Sequence, residues 1–232
     1  MARLKESIEV KKMKSRTGVF LAAIILSLIP FVELHSAQEA QKSKPVSITN
    51  KYASRDEWQM PVRVMDEIGV KPGLTVADIG AGEGYFTFFL AERVGPSGKV
   101  FAEDIDAKSL KTIRDRCAKE QVRQVEIIQG GEDDPMIPLE STDTALMVNV
   151  LPNVEHPPSF LRNVAKILKS EGTLVIIHWE QTKLYPSEPE PVGKPSLRWT
   201  LRQIYDSGFE VVKFLTFLPA QNIWICKARD KE

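Results

Sequence analysis

Short apolar runs alternate with amphipathic segments along most of the chain, and turns rich in glycine and proline separate them. The apolar runs have the length of buried strands, while the amphipathic segments repeat their apolar residues at helical spacing. The predicted strands are residues 74–80, 99–105, 125–129, 144–150, 172–179, 209–217 and 222–229. The predicted helices are residues 56–68, 85–94, 106–120, 158–170 and 196–208, the first of which is interrupted early by Pro61.

Strand–helix alternation of this kind predicts a parallel sheet with helices on both faces. The uninterrupted apolar run at residues 172–179 is typical of a strand that is covered on both sides. The last two strands are joined only by residues 218–221, so they must run antiparallel to each other. The predicted fold class is therefore α/β with three layers, built on a seven-stranded sheet that is mostly parallel and has an antiparallel C-terminal strand.

The first 37 residues are a different kind of sequence. A basic segment precedes the apolar run 18–32, which is shorter than the roughly 20 residues of a membrane-spanning helix. We interpret residues 1–37 as a signal peptide, with an uncleaved signal-anchor or a buried segment as the alternatives. Residues 38–52 are predicted to be a linker, and residues 53–232 the folded domain. Either signal interpretation predicts a periplasmic, secreted or membrane-anchored domain rather than a cytoplasmic one.

Charge and cysteine content narrow the range of functions. The chain has 31 basic and 31 acidic residues, and six of the basic and three of the acidic ones lie in residues 1–37. Residues 38–232 therefore carry a net charge of −3 without a basic stripe, which argues against a nucleic-acid partner. Cys117 and Cys226 are interpreted as half-buried thiols, with a disulfide as the alternative. Their spacing offers no zinc site, so no metal is predicted.

The stretch "DIGAGEG" places Gly80, Gly82 and Gly84 between the first predicted strand and a helix. Ligands of open parallel sheets bind beyond the carboxyl ends of the strands, and glycines let backbone amides approach them. A dinucleotide fingerprint would need its third glycine where Tyr85 stands, and an ATPase phosphate loop would need a lysine there. The remaining pattern is G-x-G-x-G with an acid, Asp78, two positions before it.

A second acid strengthens this pattern. Asp104 ends the second predicted strand, 24 residues after Gly80, where a carboxylate can accept hydrogen bonds from both hydroxyls of a ribose. The alternative is a solvated charge at a strand end. Glu103 is expected to point to the opposite face of the sheet, and Asp106 is expected to cap the following helix.

Together, "DIGAGEG", "KVFAEDID", "GGEDDP" and "NVLPNVEHPP" resemble the motifs of a bacterial group of small class I S-adenosylmethionine-dependent methyltransferases. The resemblance covers about residues 54–227 and implies a Rossmann-like fold and S-adenosyl-L-methionine as the cofactor. It also implies a set of cofactor-binding residues along the strand ends. These residues are Asp78, Gly80, Gly82, Gly84, Asp104, Asp133 and Asn149.

Within that set the resemblance implies different roles. Gly80 and Gly82 would lie along the methionine part of the cofactor, and Asp78 would brace the turn. Asp104 would hold the ribose, and Asn149 would touch the amino-acid end. Asp133, preferred over Glu132, would accept a hydrogen bond from the adenine amino group, with a solvated loop as the alternative.

Methyl transfer from a sulfonium requires alignment and exclusion of water, and it requires a base only when the acceptor carries a proton. His178 is the first candidate base and Glu180 the second, with a structural histidine at a strand end as the alternative. The predicted function is methyl transfer to a small-molecule acceptor. The alternative function is a non-catalytic protein that binds an adenosyl ligand at the membrane or in the periplasm.

Overall fold

The structure, a computed structural model, describes residues 55–180 and 195–229. The predicted signal segment 1–37 and linker 38–52 lie outside the described residues, as do residues 53–54, 181–194 and 230–232. No helix within the described ranges is long and apolar enough to cross a membrane. The helices are α1 (Arg55–Gln59), α2 (Pro61–Glu67), α3 (Tyr85–Val94), α4 (Ala107–Glu120), α5 (Pro157–Ile167) and α6 (Leu197–Asp206). The strands are β1 (Thr75–Ile79), β2 (Lys99–Asp104), β3 (Val125–Gln129), β4 (Thr142–Val148), β5 (Leu168–Trp179), β6 (Phe209–Leu215) and β7 (Gln221–Ala228).

The seven strands form one sheet in the order β3-β2-β1-β4-β5-β7-β6. All pairings from β3 to β5 are parallel, whereas β7 is antiparallel to both β5 and β6. The predicted fold class is confirmed, including the antiparallel C-terminal strand. The order reverses between β1 and β4, and ligands of such sheets bind beyond the carboxyl ends of the strands at this switch point.

Two apolar layers cover the sheet. One face packs against α2 and α3 through residues such as Met65 and Leu90, with α4 forming a smaller cluster beside them. The opposite face packs against α5 and α6 through residues such as Leu161 and Ile204. Residues along one strand alternate between the two layers, so Val175 and Ile177 face α3 while Leu174 and Ile176 face α5.

Two of the differences from the predicted boundaries have a clear local cause. The first helix is split because Met60 adopts a left-handed conformation, with φ at 44°, immediately before Pro61. The helix predicted to reach residue 170 ends at Ile167, and the chain becomes extended at Leu168. Leu168 pairs with Thr142 at the start of β4, so strand pairing takes precedence over the helical pattern there.

Candidate functional site

A cavity of about 440 Å³ lies beyond the carboxyl ends of β1, β2 and β4. Its volume is in the range of small-molecule binding sites. It is lined by Ile79, Gly80, Glu103, Asp104, Ile105, Gly131, Glu132, Val148, Asn149, Val150, Asn153, Val154, Glu155 and Phe160. Three residues predicted to bind the cofactor, Gly80, Asp104 and Asn149, therefore share one cavity at the switch point of the sheet.

The glycine turn is tied to the end of β2 by its backbone amides. The Ala81 N–H donates to the Glu103 carbonyl at 2.8 Å, and the Gly82 N–H donates to Asp104 Oδ2 at 2.7 Å. Asp104 Oδ1 accepts from the Asp106 N–H at 2.9 Å. The Asp104 carboxylate is therefore held at both oxygens, and its position relative to the turn is determined before any ligand binds.

Asp78 and Gly84 are not among the residues that line the cavity. Asp78 is 2% exposed and accepts a hydrogen bond from Thr87 Oγ1 in α3 at 2.6 Å, and its burial raises its pKa to about 6. At Gly84, a Cβ atom would lie 2.9 Å from both Ile113 Cγ1 and the Phe88 ring. Both residues support the turn from the side of α3, on the face away from the cavity lining.

The loop after β3 brings Glu132 rather than Asp133 to the cavity. The Asp133 carbonyl accepts from the Asn163 side chain in α5 at 2.8 Å, which anchors that residue to the protein surface. The placement favours Glu132 for the adenine contact that the resemblance implies. The two residues are adjacent in a loop without periodicity, so the sequence offered little to separate them.

Five cavity residues of one segment, Val150, Asn153, Val154, Glu155 and Phe160, were not among the predicted site residues. They belong to the segment between β4 and the first turns of α5. Asn153 donates from Nδ2 to the Asn149 carbonyl at 3.0 Å and so fixes the start of this segment. The motif "NVLPNVEHPP" marked the segment, but its pattern did not show which side chains turn inward.

The wall of the cavity is acidic. Asp104, Glu132 and Glu155 contribute acidic side chains, and none of the described lining residues is lysine or arginine. Such a wall repels the phosphate groups of nucleotides and dinucleotides, and it attracts a ligand with a positive charge. The sulfonium and ammonium groups of S-adenosylmethionine meet this requirement.

Glu103 is an acid in a position where the strand pattern calls for an apolar residue. Its side chain is 2% exposed, and Oε2 accepts from the Gly80 N–H at 3.2 Å. A Cβ atom at Gly130 would lie 1.7 Å from Glu103 Oε1, so the carboxyl group occupies the space that this glycine leaves. Burial, with smaller contributions from the nearby Asp104 and Asp78, raises the pKa of Glu103 to about 8.

This burial predicts a pH-dependent stability above pH 6.5. The folded pKa of about 8 exceeds the unfolded value of 4.5, so the folded state holds the proton more tightly and stability falls as pH rises toward 8. Asp78, with a raised pKa of about 6, has nearly completed its effect by pH 6.5. His178, with a pKa lowered from 6.5 to about 4, still stabilises the folded state as the unfolded ring loses its proton, so it opposes the fall until about pH 7.5. Between pH 6.5 and 8 the free energy of unfolding should fall by up to about 1.4 kcal/mol per pH unit.

Denaturant titrations at several pH values between about 6.5 and 8 measure the free energy of unfolding and its dependence on pH. Glu103→Gln, which mimics the protonated acid, should remove the fall and leave the small opposing rise from His178. The control Glu126→Gln changes an exposed acid of β3, paired with Lys99, and should leave the slope as in the wild type. Parallel curves for the wild type and Glu103→Gln would show that Glu103 is ionised in the folded protein throughout this range.

His178, the first candidate base, is in β5 on the face of the sheet that packs against α6, and it is 1% exposed. Its ring stacks on Trp224 with the ring centroids 4.5 Å apart. Nδ1 lies 2.8 Å from the Trp179 carbonyl and must donate to it, so the neutral ring accepts at Nε2 from the Thr200 hydroxyl at 2.9 Å. Burial lowers the pKa of His178 to about 4. Both ring nitrogens are thus engaged within the protein, and His178 is not among the cavity-lining residues.

Residues 70–212 match the family model for the methyltransferase domain, which is more than half of the chain. The chain belongs to the methyltransferase-domain family. Helices α3 to α6 and strands β1 to β5, the whole parallel part of the sheet, lie inside the matched region.

Individual relatives agree with this assignment. The methyltransferase domain is 33% identical over 114 residues to the ubiquinone/menaquinone biosynthesis C-methyltransferase of Ectopseudomonas mendocina, an alignment that covers 49% of this chain and 44% of that protein. It is 30% identical over 128 residues to the demethylmenaquinone methyltransferase of Lactococcus lactis, covering 54% and 49% of the two chains. The match thus spans less than half of each of these curated relatives.

Among solved structures, a SAM-dependent methyltransferase from Aquifex aeolicus superposes with a TM-score of 0.70 at 25% identity. That superposition covers 78% of this chain and 97% of the other. The methyltransferase domain is therefore S-adenosylmethionine-dependent, and S-adenosyl-L-methionine is its cofactor. The comparisons do not favour the alternative of a non-catalytic binding protein.

The cavity at the switch point fits this cofactor on physical grounds. Gly80 leaves room for the ligand to approach the turn, and Asp104 presents a fixed carboxylate beside it. Ile105 directly follows this acid and is 59% exposed at the cavity, a position suited to an apolar ring face. The acidic wall suits the positive charge of the sulfonium.

Proposed function

We propose that this methyltransferase domain transfers a methyl group to a small-molecule acceptor that binds in the same cavity as the cofactor. The observation that carries the proposal is the presence of two unlike walls in one cavity. The wall at the glycine turn and the ends of β2 and β3 is polar and acidic, whereas the wall formed by β4 and the following segment combines four apolar side chains with Asn149, Asn153 and Glu155. The apolar residues of the second wall are Val148, Val150, Val154 and Phe160. Apolar side chains beside a charged wall suit an uncharged, largely apolar acceptor.

The names of the relatives suggest which acceptors to test first. One acts as a C-methyltransferase of ubiquinone and menaquinone biosynthesis, and another is a demethylmenaquinone methyltransferase. We propose aromatic quinone precursors as the first acceptor class for this chain. The apolar side chains of the second wall support that choice, because an aromatic ring can pack against valine and phenylalanine.

The residues of this chain would divide the work of binding and alignment. When bound, S-adenosylmethionine supplies a methyl carbon activated by a positively charged sulfur, which an acceptor displaces in line. Asp104 would accept from the ribose hydroxyls, and Asn149 would donate to the amino-acid end. Val150 and Phe160 would exclude water from the acceptor, which keeps the local dielectric low.

Catalysis by His178 or Glu180 stays a prediction. His178 could take a proton at Nε2 only if the Thr200 hydroxyl turned from donor to acceptor, and its low pKa makes it a weak base at neutral pH. An electron-rich acceptor needs no protein base before the displacement, because it carries no proton on the reacting atom that must leave first. This argument favours acceptors that do not depend on His178.

The test is a product assay with the purified chain, S-adenosylmethionine labelled in its methyl group, and demethylmenaquinone, kept in its electron-rich, reduced quinol form, as the first acceptor. A labelled, methylated acceptor formed in equal amount with S-adenosylhomocysteine would support the proposal. If S-adenosylhomocysteine binds but the label enters only protein side chains, the acceptor is a protein and the proposal is wrong. His178→Ala belongs in the same assay: slower turnover at unchanged cofactor affinity would support a catalytic role, and no change in either would exclude one.

A further inference from the structure

Four hydrogen-bonded side chains connect the N-terminal helix α1 to the cavity, and we call them the amide relay. Arg55 Nε donates to Gln59 Oε1, Gln59 Nε2 donates to Gln221 Oε1 at 3.1 Å, and Gln221 Nε2 donates to Asn149 Oδ1 at 2.8 Å. Gln59 and Gln221 are both 0% exposed, although they stand 162 residues apart in the chain. The relay ends at Asn149, which lines the cavity.

The direction of every bond in the amide relay follows from Arg55. A guanidinium group donates hydrogen bonds and accepts none, so Gln59 must turn its oxygen toward Arg55. The NH₂ group of Gln59 then faces Gln221, which must present its own oxygen. By the same reasoning Gln221 presents its NH₂ group to the oxygen of Asn149.

The consequence for Asn149 is a defined orientation of its amide. Its Oδ1 atom is committed to Gln221, and Nδ2 is the end that faces away from this partner. The backbone of Asn149 is also fixed, because its N–H donates to the Ile177 carbonyl at 2.7 Å and its φ is +61°. Without the relay the amide could rotate by 180° and exchange its donor for its acceptor.

The orientation of the Asn149 amide affects cofactor binding because the cavity is acidic. The cofactor carries one carboxylate at its amino-acid end, whereas Asp104, Glu132 and Glu155 make the cavity wall acidic. A ligand carboxylate therefore needs a donor from the protein, and the described lining residues include no lysine or arginine. The Nδ2 group of Asn149 is such a donor, while its oxygen would repel the same carboxylate.

We propose that Arg55, Gln59 and Gln221 are positioning residues that hold the Asn149 amide with its NH₂ group toward the cofactor carboxylate. The proposal rests on the function proposed above, because it requires the cofactor to occupy this cavity. None of the three positioning residues needs to touch the cofactor. Their effect is transmitted through the polarity of the amide relay.

The variant Gln59→Glu tests the donor-to-acceptor direction of the amide relay, because it exchanges only one side-chain nitrogen for an oxygen. A carboxylate at position 59 still accepts from Arg55 but can no longer donate to Gln221. Gln221 then satisfies the new acceptor by turning its NH₂ group toward it, which forces Asn149 to turn its oxygen to the cavity. The amide relay is thereby reversed while the volume of the side chain is conserved.

Calorimetric titration with two probes reads out the change. S-adenosylhomocysteine carries the amino-acid end, and 5′-methylthioadenosine lacks it. Gln59→Glu should weaken the binding of S-adenosylhomocysteine by about tenfold, as expected for the loss of one hydrogen bond to a charged group. The affinity for 5′-methylthioadenosine should be unchanged. A second variant, Gln59→Leu, removes the donor without adding charge and should show the same selectivity with a smaller loss.

The matched control is Gln124→Glu, because Gln124 Nε2 donates to the Ala91 carbonyl of α3 at 2.8 Å and neither residue lines the cavity. It should change neither affinity. Equal weakening of both probes by Gln59→Glu, or no weakening of either, would overturn the positioning role while leaving the proposed function intact. Failure of the folded wild type to bind either probe would overturn the proposed function, and the positioning role with it.

Discussion

Gly80→Ala is expected to weaken the binding of S-adenosylhomocysteine by more than about 100-fold. The φ of Gly80 is +67°, where a residue with a Cβ is strained by about 1–2 kcal/mol. The added Cβ would also lie 2.3 Å from Val150 Cγ2, closer than two carbon atoms can approach. Overpacking of this kind adds about 1–3 kcal/mol. Relief requires Val150 to move within the cavity that it lines or the turn to move away from Asp104.

Calorimetric titration and thermal unfolding together separate binding from folding in this variant. Gly69→Ala is the matched control, because Gly69 has a φ of +74°, a Cβ atom added there would meet nothing within 4 Å, and the residue does not line the cavity. It should lower stability by a similar strain without changing affinity. The double variant Gly80→Ala with Val150→Ala removes the close contact and should recover part of the binding. Full affinity in Gly80→Ala would mean that the turn serves only the fold.

Asp104→Ala should weaken the binding of S-adenosylhomocysteine by about 1.5–3 kcal/mol, or about 10- to 150-fold. This is the range for the loss of a charged hydrogen-bond partner. The structure adds a second reason for a large effect. Asp104 Oδ2 accepts from the Gly82 N–H at 2.7 Å, so the variant loses both a ligand contact and a tie to the glycine turn. Separate titrations with 5′-methylthioadenosine and S-adenosylhomocysteine should show that both lose affinity, because both contain the ribose.

Asp106→Ala is the control for this measurement. Asp106 caps α4 by accepting from the N–H groups of Lys108 and Ser109 at 3.1 and 3.0 Å. Its loss should reduce stability by about 1 kcal/mol, as for other N-caps, at unchanged ligand affinity. If Asp104→Ala binds as tightly as the wild type, Asp104 does not hold the ribose and the cofactor assignment of the cavity is wrong.

The fold was largely predictable because its signals are local. Periodicity of apolar residues and glycine turns define β1, α3 and β3 to within a residue or two of their observed bounds. The four-residue link before β7 predicted an antiparallel pair, but pairing of β7 with β5 is a contact between distant segments. The early end of α5 has the same cause, since Leu168 is drawn into the sheet by Thr142.

The candidate site was predictable where a motif places backbone at the strand ends. Gly80 and Asp104 reach the cavity as expected, because a turn and a strand end determine their positions. The directions in which side chains point were harder to predict from the sequence. Asp78 turns to Thr87, and Glu103 keeps its carboxyl group buried beneath Gly80. Gln59 and Gln221 carried no sequence signal, since each is a lone amide whose partner lies in a remote segment.

The position of β7 also has a consequence for the order in which the site is completed during synthesis. The glycine turn and Asp104 lie in the first half of the chain and leave the ribosome early. Gln221 is at the start of β7 and is among the last residues of the sheet to emerge. A nascent chain halted after β6 would contain every recognisable motif and still lack the strand that pairs with β5 and orients Asn149. The proposed role of Gln221 therefore predicts that competence to bind the cofactor is a late event in the biogenesis of this protein.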